Sequence, residues 1–411
     1  MRRREFEGGE AYSNFMYKRV FLVTYIVYAS YYLARLNFSV ALPLISEDLQ
    51  FSKFALGLIS AAFSISYAVG QFVNGQLVES LGAKRIAILG LVLSAVMNLL
   101  FGYADFFIFF VVIWSINGYA QSTGWPSVVK IISNWFKSGL GTIGGTFGSC
   151  FLVGNMIAWS LLGYITANFG WRNAFLAPSL LLVLMAVIFY LLVEEAPKGS
   201  EHIKRTDFPE GTKPRFKKVL FSKEIIVISL AYMLLQFVRS GFTLWAPSYL
   251  FETYGLPLDV TGYIAAAIPI GGIVGSMFSG WLSDRIKSLR RTSIISVLIL
   301  LLTLILPMFY HAASYGFQIG IALLFLSGLM LYGPYTLMAT VIPMEYKDTY
   351  GAASVAGFIN GIGYIGSTFA DPLIGWIVDA QGWGGAVTFW LISSLVAALL
   401  VGLRDIPQAS K

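Results

Sequence analysis

Cysteine and histidine are almost absent from this chain. Its 411 residues include one cysteine, Cys150, and two histidines, His202 and His311. A single cysteine excludes a disulfide framework and a cysteine-based metal site. The sequence also lacks clustered metal ligands, a glycine-rich phosphate loop and a nucleophile paired with a base in one segment. We therefore expect no cofactor, no metal and no enzymatic chemistry.

Charge is scarce as well. Charged residues make up 12% of the chain and hydrophobic residues 57%, whereas soluble domains carry about 25% charged residues. A chain this apolar could not cover its surface with polar groups in water. The composition therefore indicates an integral membrane protein that contacts the lipid bilayer.

Apolar runs recur from one end of the chain to the other, each long enough to cross a bilayer at about 20 residues. The first run contains Arg35 and is too long for a secretory signal, so we interpret it as a retained helix. The pattern predicts an all-α polytopic membrane protein with twelve transmembrane helices. The predicted spans are 19–44, 55–79, 85–103, 107–133, 140–167, 172–193, 223–252, 259–283, 292–311, 315–343, 350–379 and 385–403.

The net charge of +7 follows the positive-inside rule rather than a nucleic-acid-binding pattern. Of the 28 Lys and Arg residues, 23 fall in segments that we assign to the cytoplasmic side. The other five are Arg35, Lys53, Lys130, Arg172 and Arg239. We expect both termini in the cytoplasm and, without a targeting sequence, a location in the plasma membrane of a prokaryote. No feature indicates an oligomer, so we expect a monomer and no nucleic-acid partner.

The chain repeats itself. Residues 194–222 form the only long polar stretch and predict a cytoplasmic linker between residues 1–193 and 223–411, each with six spans. The segment that begins at Gly75 is matched 205 residues later by the segment that begins at Gly280. Parallel repeats of this kind predict two pseudo-symmetric six-helix bundles with a substrate site near the midplane between them.

Each repeat carries an acid followed by basic residues after its second span. We predict that these residues pair across the two halves in one conformation and separate in the other, which makes them a gate. The alternative is an ordinary basic loop that obeys the positive-inside rule. The residues concerned are Glu79, Lys84, Arg85, Asp284 and Arg285.

Two arginines lie within predicted spans, where a charge costs at least about 2.5–3.5 kcal/mol and usually marks a substrate path. Arg35 in the first span and Arg239 in the seventh are 204 residues apart, nearly the repeat offset. We therefore expect them to face each other across a central cavity. Two planar guanidinium groups suit a phosphate or carboxylate. The alternative is that each pairs with a protein carboxylate, and Asp371 is the one acid that we place in the interior of a span, away from its ends.

Several motifs resemble those of a known family. The first span reads Tyr-Tyr-Leu-Ala-Arg-Leu-Asn-Phe around Arg35, and the fourth contains Gly124-Trp125-Pro126. The tenth contains Tyr332-Gly333-Pro334, and the eleventh begins with a glycine-rich segment at Gly351. Together they resemble the organophosphate:phosphate antiporter family of the major facilitator superfamily. The resemblance extends over nearly the whole chain.

The resemblance implies a major facilitator fold that exchanges organic phosphate for inorganic phosphate by alternating access. It implies that Arg35 and Arg239 bind the phosphate, since they match the paired arginines of the family. Tyr28 and Tyr32 also share a helix face with Arg35, at spacings of four and three. The substrate-binding residues that the resemblance implies besides the arginines are Tyr28, Tyr32, Trp125, Tyr332 and Tyr364.

The chain also departs from the glycerol-phosphate branch of that family. Phe151 stands where that branch has a histidine, Gln71 where it has a lysine, and Pro269 where it has an acid. A basic residue after the first arginine is replaced by Leu36. The site keeps two charges and loses other polar groups, so the substrate could also be a carboxylate or another organic anion.

Asp371, followed by Pro372, is not predicted by the family pattern. A buried acid can have a raised pKa and carry a proton, so Asp371 is a candidate for proton coupling. The alternative is an acid at a helix end that is wetted from outside. A proton-coupled organic-anion symporter and a membrane sensor of sugar phosphates therefore remain as alternatives to an antiporter.

Overall fold

The computed structural model of the chain describes residues 2–51, 53–197, 215–242, 249, 264, 267–286, 290–311 and 316–402. Helices make up nearly all of these residues, and none of them lies in a β-strand. The first half contains α1 (Arg2–Tyr31), α2 (Leu33–Leu49), α3 (Lys53–Leu81), α4 (Ala83–Gly102), α5 (Phe107–Gln121), α6 (Gly124–Trp135), α7 (Leu140–Gly148), α8 (Cys150–Phe169) and α9 (Asn173–Leu192).

The second half repeats this helical organisation. Its described helices are α10 (Arg215–Phe221), α11 (Lys223–Ser240), α12 (Ala267–Arg285), α13 (Arg291–Tyr310), α14 (Phe317–Thr336), α15 (Ile342–Glu345), α16 (Lys347–Tyr350) and α17 (Ala352–Gly402). A five-residue π-helix, Leu337–Val341, joins α14 to α15. Such π-helical turns are frequent at functional sites.

The helices follow the predicted spans closely, with two kinds of difference. The first, fourth and fifth spans are each divided into two helices, with breaks at Tyr32, Ser122–Thr123 and Ser149. The predicted loop between the last two spans is reduced to one non-helical residue, Gly382, whose φ of 69° favours glycine. The seventh and eighth spans fall partly on residues outside the described ranges.

Among the residues that the structure describes, six helical segments are long and apolar enough to cross a membrane. Their outward faces carry large exposed hydrophobic side chains, for example Leu89, Leu180 and Leu304, which are 64%, 72% and 67% exposed. Water would solvate such faces poorly, whereas lipid matches them. These observations agree with a multi-span membrane protein.

The part of the predicted linker that the structure describes contains one helix, α10. Ser222 caps the helix that follows, since its hydroxyl oxygen accepts a hydrogen bond from the Ile225 backbone N–H at 3.4 Å. The division of the chain at residues 193 and 223 remains a prediction.

The two halves meet closely at one end of the molecule, which we call the basic end because it carries Lys84, Arg85, Arg285 and Arg291. There α3 packs against α17, and α7 packs against α12. Glycines form both crossings: a Cβ added at Gly357 would lie 2.4 Å from the Gln71 carbonyl oxygen, and one at Gly280 would lie 2.1 Å from the Gly141 carbonyl oxygen. The backbones are therefore too close for any side chain at these positions.

Replacing Gly280 by alanine should open the basic end. The added methyl group would meet backbone atoms that cannot move independently. Spin labels on the exposed Arg85 and Arg285 positions, in a Cys150→Ala background, would report the distance between the halves. We expect a larger share of long distances in Gly280→Ala.

The matched control is Gly163→Ala, because nothing lies within 4 Å of a Cβ added at Gly163. Alanine favours helix over glycine by about 1 kcal/mol at either position. An unchanged distance distribution in Gly280→Ala would contradict the close-packed crossing.

Candidate functional site

A central cavity lies between the two halves. Its walls are mainly aromatic, with a few hydroxyl and amide groups, and both halves contribute. The lining residues are Tyr28, Tyr32, Tyr67, Trp125, Phe151, Tyr232, Tyr335, Thr336, Ala339, Thr340, Asn360 and Tyr364.

Arg35 lies on α2 against the wall of this cavity and is half-buried. Its guanidinium carbon is 4.7 Å from the ring centre of Tyr32 and 4.6 Å from that of Tyr67. Its Nη1 donates to the Tyr364 hydroxyl at 2.9 Å, and its Nη2 donates to Gln121 Oε1 at 3.2 Å. The buried Nε has no partner. Within the described ranges, no carboxylate pairs with Arg35.

A chain of buried polar groups holds Arg35 in place. Gln121, which accepts from Arg35, donates through Nε2 to Ser94 Oγ at 2.8 Å. Ser94 donates to Asn117 Oδ1 at 2.7 Å, and Asn117 Nδ2 donates to the Ala34 carbonyl at 3.1 Å. This series of hydrogen bonds therefore begins at the Arg35 side chain and returns to the backbone of the preceding residue. It joins α2, α4 and α5, all in the first half.

Arg239 lies on α11 and is also half-buried. Its guanidinium carbon is 5.3 Å from the ring centre of Tyr335 and 5.8 Å from that of Phe151. Its Nε is buried without a partner, and no described residue forms a hydrogen bond or ion pair with it. Gln236, one helical turn earlier, is fully buried with both amide atoms unpaired. Arg239 thus lacks the support that Arg35 has.

Both arginines contact residues that line the same cavity. Tyr32, next to Arg35, and Phe151, next to Arg239, are 6.1 Å apart between ring centres. Both rings belong to the first half, so Arg239 reaches across from the second half to contact Phe151. Tyr32 and Tyr364 each interact electrostatically with both guanidinium groups. Both cations therefore reach a common region that contains no described acid.

The other residues implied by the family resemblance lie at or near this cavity. Tyr28 and Trp125 line it with ring centres 5.0 Å apart, and Trp125 Nε1 donates to the Ala339 carbonyl in the other half at 3.1 Å. Tyr332 is buried behind the wall, 5.6 Å from Phe151 between ring centres. Tyr335, three residues later, lines the cavity instead.

Sequence reasoning missed several groups of the site, including Tyr67, Gln121, Tyr232, Tyr335 and Asn360. Each is an amide or phenol within an apolar run, a position where a polar group needs a partner. Amide side chains within predicted spans could therefore have indicated residues of the site. The pairing of Gln121 with Arg35 depends on tertiary structure and has no sequence pattern of its own.

The acids of the predicted gate connect the halves at the basic end. Glu79 Oε1 accepts from the Ala353 backbone N–H at 2.9 Å, and its other oxygen pairs with Lys130 at 3.1 Å. Asp284 accepts from the backbone N–H groups of Gly141 and Thr142 at 2.9 and 2.7 Å. Each acid thus contacts the amino-terminal end of a helix in the opposite half, where the helix dipole favours negative charge.

The predicted basic partners of the gate lie elsewhere. Lys84 stacks on Tyr190 at 5.2 Å, Arg285 stacks on Trp281 at 5.2 Å, and Arg85 is exposed. In this structure these three cations do not pair with the acids of the gate. Each acid pairs instead with a cation of its own half, Asp284 with Arg291 at 3.2 Å and Glu79 with Lys130. The acids contact the opposite half through backbone N–H groups.

Lys347 adds a further link between the halves at the basic end. Its Nζ donates to the Ser133 carbonyl in the first half at 3.0 Å. Burial lowers the pKa of Lys347 below its ordinary value, although Asp348 opposes this effect. The side chain of Asp371 lies outside what the structure describes, so proton coupling through it remains a prediction.

The fold and the sequence place the chain in one class of protein. The family model for the Major Facilitator Superfamily matches residues 24–370. The solved structure of the proton:xylose symporter XylE aligns with 96% of this chain and 97% of its own at a TM-score of 0.80, with 13% identity. The chain therefore belongs to the major facilitator superfamily and has the all-helical membrane-protein fold of that class. It is a membrane transporter and not an enzyme.

Two relatives narrow the class. The glycerol-3-phosphate transporter of Bacillus subtilis is 31% identical over 94% of this chain and 93% of its own. The glucose-6-phosphate exchanger SLC37A2 of Mus musculus is 26% identical over 94% of this chain and 91% of its own. Within the superfamily, the chain therefore groups with the organophosphate:phosphate antiporter family.

Replacing Gln121 by leucine should weaken anion binding. Arg35 would lose a hydrogen bond to its charged group, which is worth about 1.5–3 kcal/mol, and we expect a loss of roughly 10- to 100-fold in affinity for inorganic phosphate. Calorimetry on purified protein measures this affinity.

The control is Gln71→Leu, which removes an equally buried amide that donates to the Ser122 carbonyl at 3.1 Å and does not contact Arg35. Equal losses of phosphate affinity in both variants would show that Gln121 affects binding only through the stability of the fold.

Proposed function

We propose that this transporter exchanges an organic phosphate for inorganic phosphate, with the phosphoryl group bridged by Arg35 and Arg239. The observation that carries the proposal is the placement of two guanidinium groups on one cavity without a described carboxylate beside either. The names of the two relatives, a glycerol-3-phosphate transporter and a glucose-6-phosphate exchanger, support the same cargo.

The electrostatics of the cavity favour an anion with two charges. Two like charges in a low-dielectric site repel strongly, and a dianion placed between them removes that repulsion. The donor atoms of Arg35 and Arg239 left without protein partners suit phosphate oxygens, which accept bidentate hydrogen bonds from arginine. The surrounding phenols, including Tyr364, supply further hydrogen-bond donors.

The gate supports alternating access. The basic end, which we assign to the cytoplasm from its excess of Lys and Arg, is held closed by Glu79, Asp284 and the glycine crossings. A transport cycle would break these contacts and form others at the opposite end. With the anion bound, the charges on the two halves are neutralised and the halves can approach each other around it.

The same argument explains exchange rather than one-way transport. Without an anion, closure would bring two unneutralised arginines together in a site that excludes water. The empty protein would then change conformation slowly, whereas the loaded protein would do so readily. Release of one anion would therefore be followed by binding of another before the return step.

Replacing either arginine by lysine should abolish transport while leaving the protein folded. A lysine ammonium keeps the charge but lacks the planar fork that binds two phosphate oxygens. We expect phosphate counterflow in liposomes to fall by about 100-fold or more in Arg35→Lys and in Arg239→Lys, equivalent to roughly 2.7 kcal/mol.

Arg172→Lys is the matched control. Arg172 pairs with Asp48 and Asp105 at 2.8 and 2.6 Å, away from the cavity, so its replacement should leave counterflow nearly unchanged. Full activity in both cavity variants would overturn the arginine bridge. Uptake driven by a pH gradient, without any internal anion, would instead support proton symport.

A further inference from the structure

The central cavity extends past the arginines toward the basic end. On the first half, the chain runs from Arg35 back to Tyr32 and Tyr28, and seven residues of helix span about 10 Å. On the second half, Asn360 lies one helical turn before Tyr364, nearer the basic end. The lining of the cavity therefore extends well beyond the residues that lie next to the arginines.

Two polar side chains in this part of the cavity have unused hydrogen-bonding capacity. Thr340, which follows Ala339 in the π-helix, is fully buried, and its hydroxyl has no partner. Asn360 accepts a hydrogen bond from the Tyr232 hydroxyl at 2.9 Å through Oδ1. That contact fixes the orientation of the amide and leaves its NH₂ group available to the cavity.

The facing wall is aromatic. Trp125 and Tyr28 lie on the first half, and the hydrogen bond from Trp125 to the Ala339 carbonyl places the indole beside the π-helix that carries Thr340. A buried hydroxyl without a partner costs roughly 1–3 kcal/mol, so this arrangement is stabilised when a ligand supplies the missing hydrogen bond. Among the residues described, no charged side chain lines this part of the cavity.

We propose that Thr340 and Asn360 form a second subsite, which binds the uncharged, hydroxyl-bearing part of the transported organic phosphate. An aromatic wall opposite amide and hydroxyl groups suits a carbon skeleton with alcohol substituents. A second anionic group would meet no counter-charge from a described residue there. This inference rests on the proposed function, because it assumes that the arginines hold the phosphoryl end.

The subsite distinguishes the two substrates of the exchange. Inorganic phosphate has no carbon skeleton, so it contacts the arginines and leaves Thr340 and Asn360 unused. The organic phosphate contacts both subsites. Its affinity can therefore be changed at Thr340 or Asn360 without any change in the binding of inorganic phosphate.

The test uses purified protein in liposomes that exchange radiolabelled phosphate for internal phosphate. Glucose 6-phosphate and glycerol 3-phosphate are added outside as competitors. In Thr340→Val and Asn360→Leu, competition by external unlabelled phosphate is measured in the same liposomes and is the reference for the organic competitors. The concentration of the effective competitor needed for half inhibition should rise about 5- to 30-fold, as expected for the loss of one or two hydrogen bonds.

Thr303→Val is the matched control, because Thr303 is a buried threonine whose hydroxyl has hydrogen-bond partners in the Ile299 carbonyl and the Ser394 hydroxyl, away from the cavity. The subsite would be overturned if the concentration needed for half inhibition rose equally for phosphate and for the organic competitors, or if it did not change in either variant. The subsite would also be overturned if neither organic phosphate competed in the unaltered protein. A complete lack of phosphate exchange in the unaltered protein would instead overturn the proposed function. The assay therefore distinguishes failure of the proposed function from failure of the subsite.

Discussion

The structure depends on two positive charges that have no carboxylate beside them among the described residues. A guanidinium group inside a membrane protein is costly unless water, a partner or a ligand compensates for it. Arg35 is compensated in part by Tyr364 and Gln121, and Arg239 only by nearby aromatic rings. The cavity between the halves, the phenols that line it and the closed basic end all surround this charge. The transport chemistry that we propose follows from it.

The two halves are joined by contacts that can be broken without unfolding either of them. Glycine crossings and acid contacts with helix ends hold the basic end together. The buried amides around Arg35, by contrast, lie within the first half alone. Interactions inside a bundle thus preserve its shape, while the bundles meet through acid contacts with helix ends, glycine crossings and aromatic rings. This separation suits a protein that moves as two rigid bodies.

Much of the fold follows from hydrophobic length and from the repeat. The twelve apolar runs, the equivalent positions of Arg35 and Arg239, and the aromatic face around Tyr32 can all be seen in the chain. The break at Tyr32 and the π-helix cannot, because they change the helix without ending the apolar run. Nor could the sequence distinguish Lys84 and Arg85 from Lys130 as the partner of Glu79. That choice depends on which side chain the fold places next to Glu79.

The unequal support of the two arginines has a thermodynamic consequence. The hydrogen-bonded chain through Gln121 already restricts the Arg35 side chain, so a ligand gains its interactions without ordering it further. No hydrogen bond from a described residue restrains Arg239 in this way, and fixing an arginine side chain costs up to about 2 kcal/mol in rotamer entropy. Part of the binding energy is therefore consumed in ordering one side chain. A carrier must release its cargo in every cycle, and an entropic penalty on one half keeps the complex from becoming too long-lived.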